Sequence, residues 1–152
     1  MIRKARIEDI DFIYKLLSDF AERGFLLSRP LSKLYDDIRD FAIFEDDADG
    51  ALLGCCALQI CWKDLAEIRS LAVHPDHWGN HIGTHLVENA FADARSFGIK
   101  KVFALTYNIR FFEKFGFFMI DRSQLPLKIW SDCITCVKFP NCDETAMMRI
   151  ME

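Results

Sequence analysis

Ile2 to Ile7 alternates basic and apolar residues as a half-buried strand does, and Asp9 follows where a helix N-cap belongs. From Ile10 the period lengthens. Ile13, Leu17, Phe20 and Ala21 recur at three and four residues, and Gly24 falls where a helix C-terminal glycine would. Pro30 can open a second, shorter helix through Leu31, Leu34, Tyr35 and Ile38. Between the two helices, Phe25-Leu26-Leu27-Ser28-Arg29 is an apolar loop carrying one arginine, and such a loop is expected to cover something.

Strand-like stretches then take over. Phe41 to Phe44 and Ala51 to Trp62 read as strands joined by Glu45-Asp46-Asp47-Ala48-Asp49-Gly50, whose Asp-Gly ending is a hairpin signal, and Leu65 to Val73 makes a third. Ile82, Leu86, Ala90, Phe91 and Ala94 mark a long helix ending near Gly98, followed by an apolar strand, Lys101 to Leu105. Phe111 to Phe115 looks like a short helix before Gly116, Phe117 to Ile120 like a strand, and Thr145 to Ile150 like a final strand. The predicted order is βααβββαβαββ. No repeat, low-complexity tract or linker interrupts it, so one α/β (α+β) domain over residues 1–152 is expected, with an irregular, cysteine-containing segment at 122–144.

Composition narrows the classes of partner. Nineteen Lys and Arg against 23 Asp and Glu give a formal charge of −4, with no basic run of five or more, so no nucleic acid partner is expected. The longest apolar stretch, Ala51 to Trp62, is too short to cross ~30 Å of hydrocarbon, which argues against a membrane span. The basic N-terminus runs straight into Glu8-Asp9-Ile10-Asp11 with no apolar export segment, so a cytoplasmic protein is the default. Cys55 and Cys56 are adjacent in a strand, where successive side chains face opposite ways, and the six cysteines read as thiols.

The candidate chemistry lies in Glu67-Ile68-Arg69-Ser70-Leu71-Ala72-Val73-His74-Pro75-Asp76-His77-Trp78-Gly79-Asn80-His81-Ile82-Gly83-Thr84-His85-Leu86-Val87, a strand, a glycine-bearing turn and a helix start. Gly79 and Gly83 let backbone approach a ligand closely, and the first N–H groups of the following helix point into the same space. Those donors and the positive helix end suit a pyrophosphate. Any strand-to-helix connection can contain two glycines, however, so spacing alone leaves phosphate binding and a plain turn both open.

The whole stretch resembles the acetyl-CoA signature of the GNAT superfamily of N-acetyltransferases: an acidic residue and Leu-Ala-Val on a strand, then Pro-x-x-x-x-Gly and a helix opened by Ile-Gly. Asn108-Ile109-Arg110-Phe111-Phe112-Glu113-Lys114-Phe115-Gly116-Phe117 is similar to the closing motif of the same family. The resemblance implies the GNAT fold, a mixed central sheet of about six to seven strands with flanking helices and a splayed parallel strand pair. It implies acetyl-CoA as cosubstrate, with a bulged strand offering backbone groups of Leu71, Ala72 and Val73 to the pantetheine. The pyrophosphate turn would be Gly79, Asn80, His81, Ile82, Gly83 and Thr84, with Asn108 and Phe112 further along the cofactor. Trp78 stands where the family carries arginine, His81 where it carries glycine, and Phe112 where many members carry the tyrosine that reprotonates the thiolate. Thr106 and Tyr107 are the nearest hydroxyls to take over that role.

Within the superfamily the chain resembles the short, stand-alone N-acetylglutamate synthases. The likeness rests on Ala21-Glu22-Arg23-Gly24-Phe25-Leu26-Leu27-Ser28-Arg29, Asp64-Leu65-Ala66-Glu67-Ile68-Arg69-Ser70-Leu71-Ala72-Val73-His74-Pro75, Val102-Phe103-Ala104-Leu105-Thr106 and Trp130-Ser131-Asp132-Cys133. It implies acetylation of the α-amine of an amino acid, first of all glutamate, as in arginine biosynthesis. Glu67 would be the general base, Arg29 the clamp on the substrate carboxylate, Ser70 a neighbour of the amine, and Lys128 a reach toward a second carboxylate. Without the resemblance, Glu67 reads as a strand carboxylate pairing with Arg69, and Arg29 as surface charge. Phe139-Pro140-Asn141-Cys142-Asp143-Glu144-Thr145 lacks the late arginine of the long synthases, which keeps glutamine, aspartate or another amino acid open as acceptor.

Cys133-x2-Cys136-x5-Cys142 has a metal-like first spacing but only three thiols, and His77, His81 and His85 recur every four residues without sharing a formed helix, so no metal is expected. Two other functions compete: transfer to a polyamine, an antibiotic or a protein N-terminus, and a non-catalytic sensor of CoA or an amino acid. A homodimer is one assembly left open.

Overall fold

The computed structural model describes residues 1–126 and 144–151. The strands are β1 (Ile2–Lys4), β2 (Phe41–Glu45), β3 (Leu52–Trp62), β4 (Leu65–Val73), β5 (Lys101–Thr106), β6 (Phe118–Met119) and β7 (Thr145–Ile150). The helices are α1 (Ile10–Glu22), α2 (Leu31–Asp36), α3 (Ile82–Ser96) and α4 (Ile109–Glu113), so the predicted element order stands. One seven-stranded sheet runs β1-β2-β3-β4-β5-β7-β6. Its β4–β5 pair is parallel, and every other pair is antiparallel.

Several boundaries differ from the pattern reading for local reasons. Asp9 is the N-cap of α1, yet its carboxylate accepts from Arg3 Nη1 at 2.8 Å, Arg3 Nη2 at 3.0 Å and the Arg6 N–H at 2.7 Å instead of capping the helix. That fork-on-fork pair holds the Asp9 carboxyl below the usual carboxylate range and pins β1 to the start of α1. Pro30 is the N-cap of α2, and the helix gives way at Asp37 to a 3-10 turn at Ile38–Asp40. α4 begins at Ile109, two residues early, because Asn108 caps it: its Oδ1 accepts from Phe111 N–H at 3.3 Å. β6 is only two residues long, since Phe117, expected to open it, is instead turned into the core at 4% exposure.

The sheet separates three apolar clusters. α3 packs Leu86, Val87, Ala90 and Ala94 on one face, against Cys56, Leu58, Ala66, Ile68, Val102 and Ala104. On the other face α1 and α2 pack Ile13, Leu17 and Leu34 against Cys55, Ala57 and Ala72, while Cys61, Leu65, Phe103 and Met148 form a separate cluster with Leu125. The adjacent cysteines thus face opposite ways, as strand alternation requires. Burial pushes the Cys56 thiol up to about 12 and the Cys55 thiol higher still, so both behave as small apolar side chains.

Candidate active site

Two irregularities in β4 create the site. Its parallel ladder with β5 covers only Leu65–Lys101, Ala66–Val102 and Glu67–Phe103. β5 nevertheless stays paired with β7 to Thr106, so β4 parts from it at Glu67. On the other side of β4, Cys55 pairs with Ala72 and Ala57 with Arg69, which sets Ser70 and Leu71 opposite the single residue Cys56. This bulge holds Ser70 at φ 55, a left-handed value that a non-glycine residue adopts only at a cost. It also reverses the alternation: Ala66 and Ile68 face the α3 cluster before it, Leu71 and Val73 after it.

The parting strands open a cavity of about 740 Å³, within the range of small-molecule sites. Ser70, Leu71, Ala72 and Val73 form one wall, Leu105, Thr106, Tyr107, Asn108 and Phe112 the opposite one, and Gly79, His81, Ile82, Gly83 and Thr84 one end. At that end Gly79 has φ 88 and His81 φ 61. The residue expected to be glycine in the turn is therefore a left-handed histidine, strained by about 1 kcal/mol or more. His81 keeps its place as helix N-cap, its carbonyl accepting from His85 N–H at 3.0 Å. The N–H groups of the first turn of α3 have no partner within the helix and suit a diphosphate through backbone and dipole alone.

Trp78 has a visible job. Its indole N–H donates to the Val73 carbonyl at 2.7 Å, tying the turn to the end of β4. Its ring meets Phe20 and Phe25 with centroids 6.1 and 5.9 Å apart, and all three rings line the cavity. A neutral wall and a tether thus replace the charge that arginine would bring.

On the sheet face that carries α1 and α2, the side chains between the two apolar clusters turn polar. Gln59 pairs in register with Glu67, and Arg69 lies one step along the same face. Arg69 donates to Gln59 Oε1, and its Nη1 stands 3.8 Å from Glu67 Oε1. Glu67 is 7% exposed and lies at the point where the strands part. Arg29 reaches in from the loop before α2, ion-paired with Asp37 and donating to Ser70 Oγ at 3.4 Å. Burial, then repulsion from Arg69, pull the Arg29 guanidinium below the ordinary arginine value against the attraction of Asp37. Burial, reinforced by Asp37, pushes the neighbouring Asp40 carboxyl above the usual range.

Most of the expected site residues therefore meet around one cavity. Asn80, Arg29 and Glu67 do not line it: Asn80 is exposed in the turn, while Arg29 and Glu67 sit behind its wall in the polar band. Asn108 lines the cavity but spends its side-chain oxygen capping α4. Phe112, at the tyrosine position, is packed between Phe111 and Phe117 at 5.2 and 5.1 Å and offers no proton. Thr106 Oγ1 accepts from Asn108 N–H at 2.8 Å, which leaves the hydroxyl hydrogen able to point elsewhere. Lys128 and Cys133, Cys136 and Cys142 lie outside the described residues. Sequence reasoning missed Phe20, Phe25, Trp78 and Arg69 as cavity walls. For Phe25 the available signal was the unusually apolar loop, while Phe20 lies in α1 and Trp78 in the turn before α3.

Among the described residues, no helix is long and apolar enough to cross a membrane. The model of the acetyltransferase (GNAT) family matches residues 10–117. An uncharacterized N-acetyltransferase of Chlorobaculum tepidum is 39% identical over 150 residues, covering 99% of this chain and 96% of that protein. An amino-acid acetyltransferase of Mycobacterium tuberculosis is 33% identical over 133 residues, 87% of this chain and 76% of that protein. The N-acetylglutamate synthase of Neisseria gonorrhoeae, solved with coenzyme A and N-acetyl-glutamate, superposes with TM-score 0.90 at 30% identity, over 100% of this chain and 35% of that one. The parted strands, the bulge and the helix mouth, taken with these likenesses, make the chain a member of the GNAT family of N-acetyltransferases.

Proposed function

We propose that this chain transfers the acetyl group of acetyl-CoA to the α-amine of an amino acid, with glutamate the first candidate and arginine biosynthesis the setting. The observation that carries the reading is the position of Glu67, at the point where β4 leaves β5 and beside two arginines. Acetyl-CoA supplies a thioester carbonyl as electrophile and a thiol as leaving group. The first turn of α3 holds its diphosphate, and Leu71, Ala72 and Val73 line its pantetheine arm.

Glu67, behind the cavity wall, takes a proton from the acceptor ammonium through one water and so frees the lone pair that forms the new C–N bond. A backbone N–H near Leu71 stabilises the carbonyl oxygen as charge gathers on it. The C–S bond then breaks, a hydroxyl of Thr106 or Tyr107, both on the cavity wall, hands a proton to the departing sulfur, and the proton shed by the new amide nitrogen restores that hydroxyl through solvent. The amino-acid acetyltransferase and the N-acetylglutamate synthase among the similar proteins support an amino-acid acceptor.

A thiol-release assay against the common amino acids, a polyamine and a peptide N-terminus tests this. Fastest turnover is expected with glutamate. Faster turnover of the polyamine or peptide would overturn the acceptor, and CoA binding without turnover of anything would make the chain a sensor.

A further inference from the structure

The two arginines of the polar band differ in what they are already bound to. Arg29 has 8% of its side chain exposed and is ion-paired with Asp37, so its charge is cancelled inside the protein, and it does not line the cavity. Arg69 has 26% of its side chain exposed and lines the cavity; it donates to the neutral amide of Gln59, and its ion pair with Glu67 is a long one. A guanidinium carries five N–H donors in a planar fork, so a donation to Gln59 orients Arg69 while leaving donors for a carboxylate. Glu67 lies 3.8 Å from it. A carboxylate and a guanidinium side by side are the complement of an ammonium and a carboxylate borne by the same carbon.

We infer that Arg69, oriented by Gln59, is the residue that seats the α-carboxylate of the acceptor, and that Arg29 is a positioning residue that fastens the strained Ser70 bulge to α2. The inference rests on the amino-acid reading of the site and assigns it a substrate class: a free α-amino acid zwitterion, with its carboxylate at Arg69 on the cavity wall and its ammonium one water away from Glu67 behind that wall. Arg29 acts through Ser70, to which it donates, and its charge stays with Asp37.

The test compares kcat/KM for glutamate and for glutamate α-carboxamide, which keeps the amine and removes the charge at Arg69. Wild type is expected to prefer the free acid on the order of a hundredfold. Arg69→Gln should bring the two substrates to within about threefold, leaving the KM for acetyl-CoA unchanged, and Arg69→Lys should recover part of the preference. Arg29→Gln should slow both acceptors alike and preserve the preference. Gln59→Glu covers the case in which Arg69→Gln does not fold: a built-in carboxylate competes for the guanidinium and should raise the KM for glutamate about tenfold, again without moving that for acetyl-CoA.

Retention of the acid preference in Arg69→Gln, its loss in Arg29→Gln, or an unmoved glutamate KM in Gln59→Glu would each overturn the assignment while leaving amino-acid acetylation intact. Wild-type turnover of amines but of no amino acid would instead remove the acceptor reading, and this inference with it.

Discussion

The two halves of β4 do different work with the same backbone. From Leu65 to Glu67 the strand is paired on both sides, with β3 and with β5, and its side chains Leu65 and Ala66 go into closed apolar clusters. From Ser70 to Val73 it keeps β3 but has lost β5, contains a left-handed serine, and faces a cavity. The first half satisfies its polar groups within the fold. The second leaves backbone groups for a ligand, which is tolerable because that edge opens onto a space polar molecules can enter. Stability should therefore be concentrated in the first half and binding in the second, with Glu67 at the junction.

The largest expected effect is at the junction. Glu67→Gln keeps the shape and removes the base, so kcat/KM with the amino acid should fall about a hundredfold to ten-thousandfold while the thermal midpoint barely moves. Unchanged turnover at neutral pH would take Glu67 out of the mechanism. In the paired half, Leu65→Ala should cost about 2–5 kcal/mol in denaturant unfolding, with little change in turnover per folded molecule. A large loss of turnover there would erase the contrast between the halves.

Gly54 probes the bulged half from behind. A Cβ at this position would meet the Ala72 carbonyl oxygen at 2.9 Å and Leu86 Cδ1 at 3.2 Å, and the first of these is backbone. Gly54→Ala should destabilise by about 1–3 kcal/mol and raise the KM for acetyl-CoA, because the displaced strand is the cavity wall. Trp78→Phe removes the 2.7 Å tether to Val73 but keeps an aromatic wall. CoA binding by calorimetry should weaken about threefold to tenfold, the value of one hydrogen bond.

His81→Gly carries the smallest effect. Relief of the left-handed strain gains about 1–2 kcal/mol, and the entropy of a glycine takes back about 0.5–1. A rise of a few degrees or less in the thermal midpoint, with CoA binding retained, is expected. Lost CoA binding would show that the imidazole itself touches the cofactor.

The helices and most strands were legible because their signal is local. The three- and four-residue spacing from Ile13 to Ala21 and the glycine at 24 place α1 without reference to anything distant, and α1 does end at Glu22 with Gly24 at φ 76. The glycine-bearing turn was legible as a helix mouth for the same reason. The weakest readings were short elements settled by tertiary contacts. Phe117 is core because Phe91 and Phe112 surround it, and nothing in Phe117 to Ile120 announces that.

Within the site, residue types were readable but their commitments were not. Arg29 and Arg69 are both arginines near an acid in sequence terms, and only the fold shows that Arg29 is buried against Asp37, eight residues on, while Arg69 faces the cavity. Likewise Trp78 reads as a departure from arginine until its indole is seen on the Val73 carbonyl.

Periodicity and turn chemistry, which act over a few residues, thus determined the order of elements, the bulk of the core and the place of the helix mouth. The point at which β4 leaves β5, the bulge at Ser70 and the split between a buried guanidinium and one that faces the cavity were decided by tertiary structure. Each of these depends on which strand and which charge lie alongside, and those neighbours are brought together from distant parts of the chain.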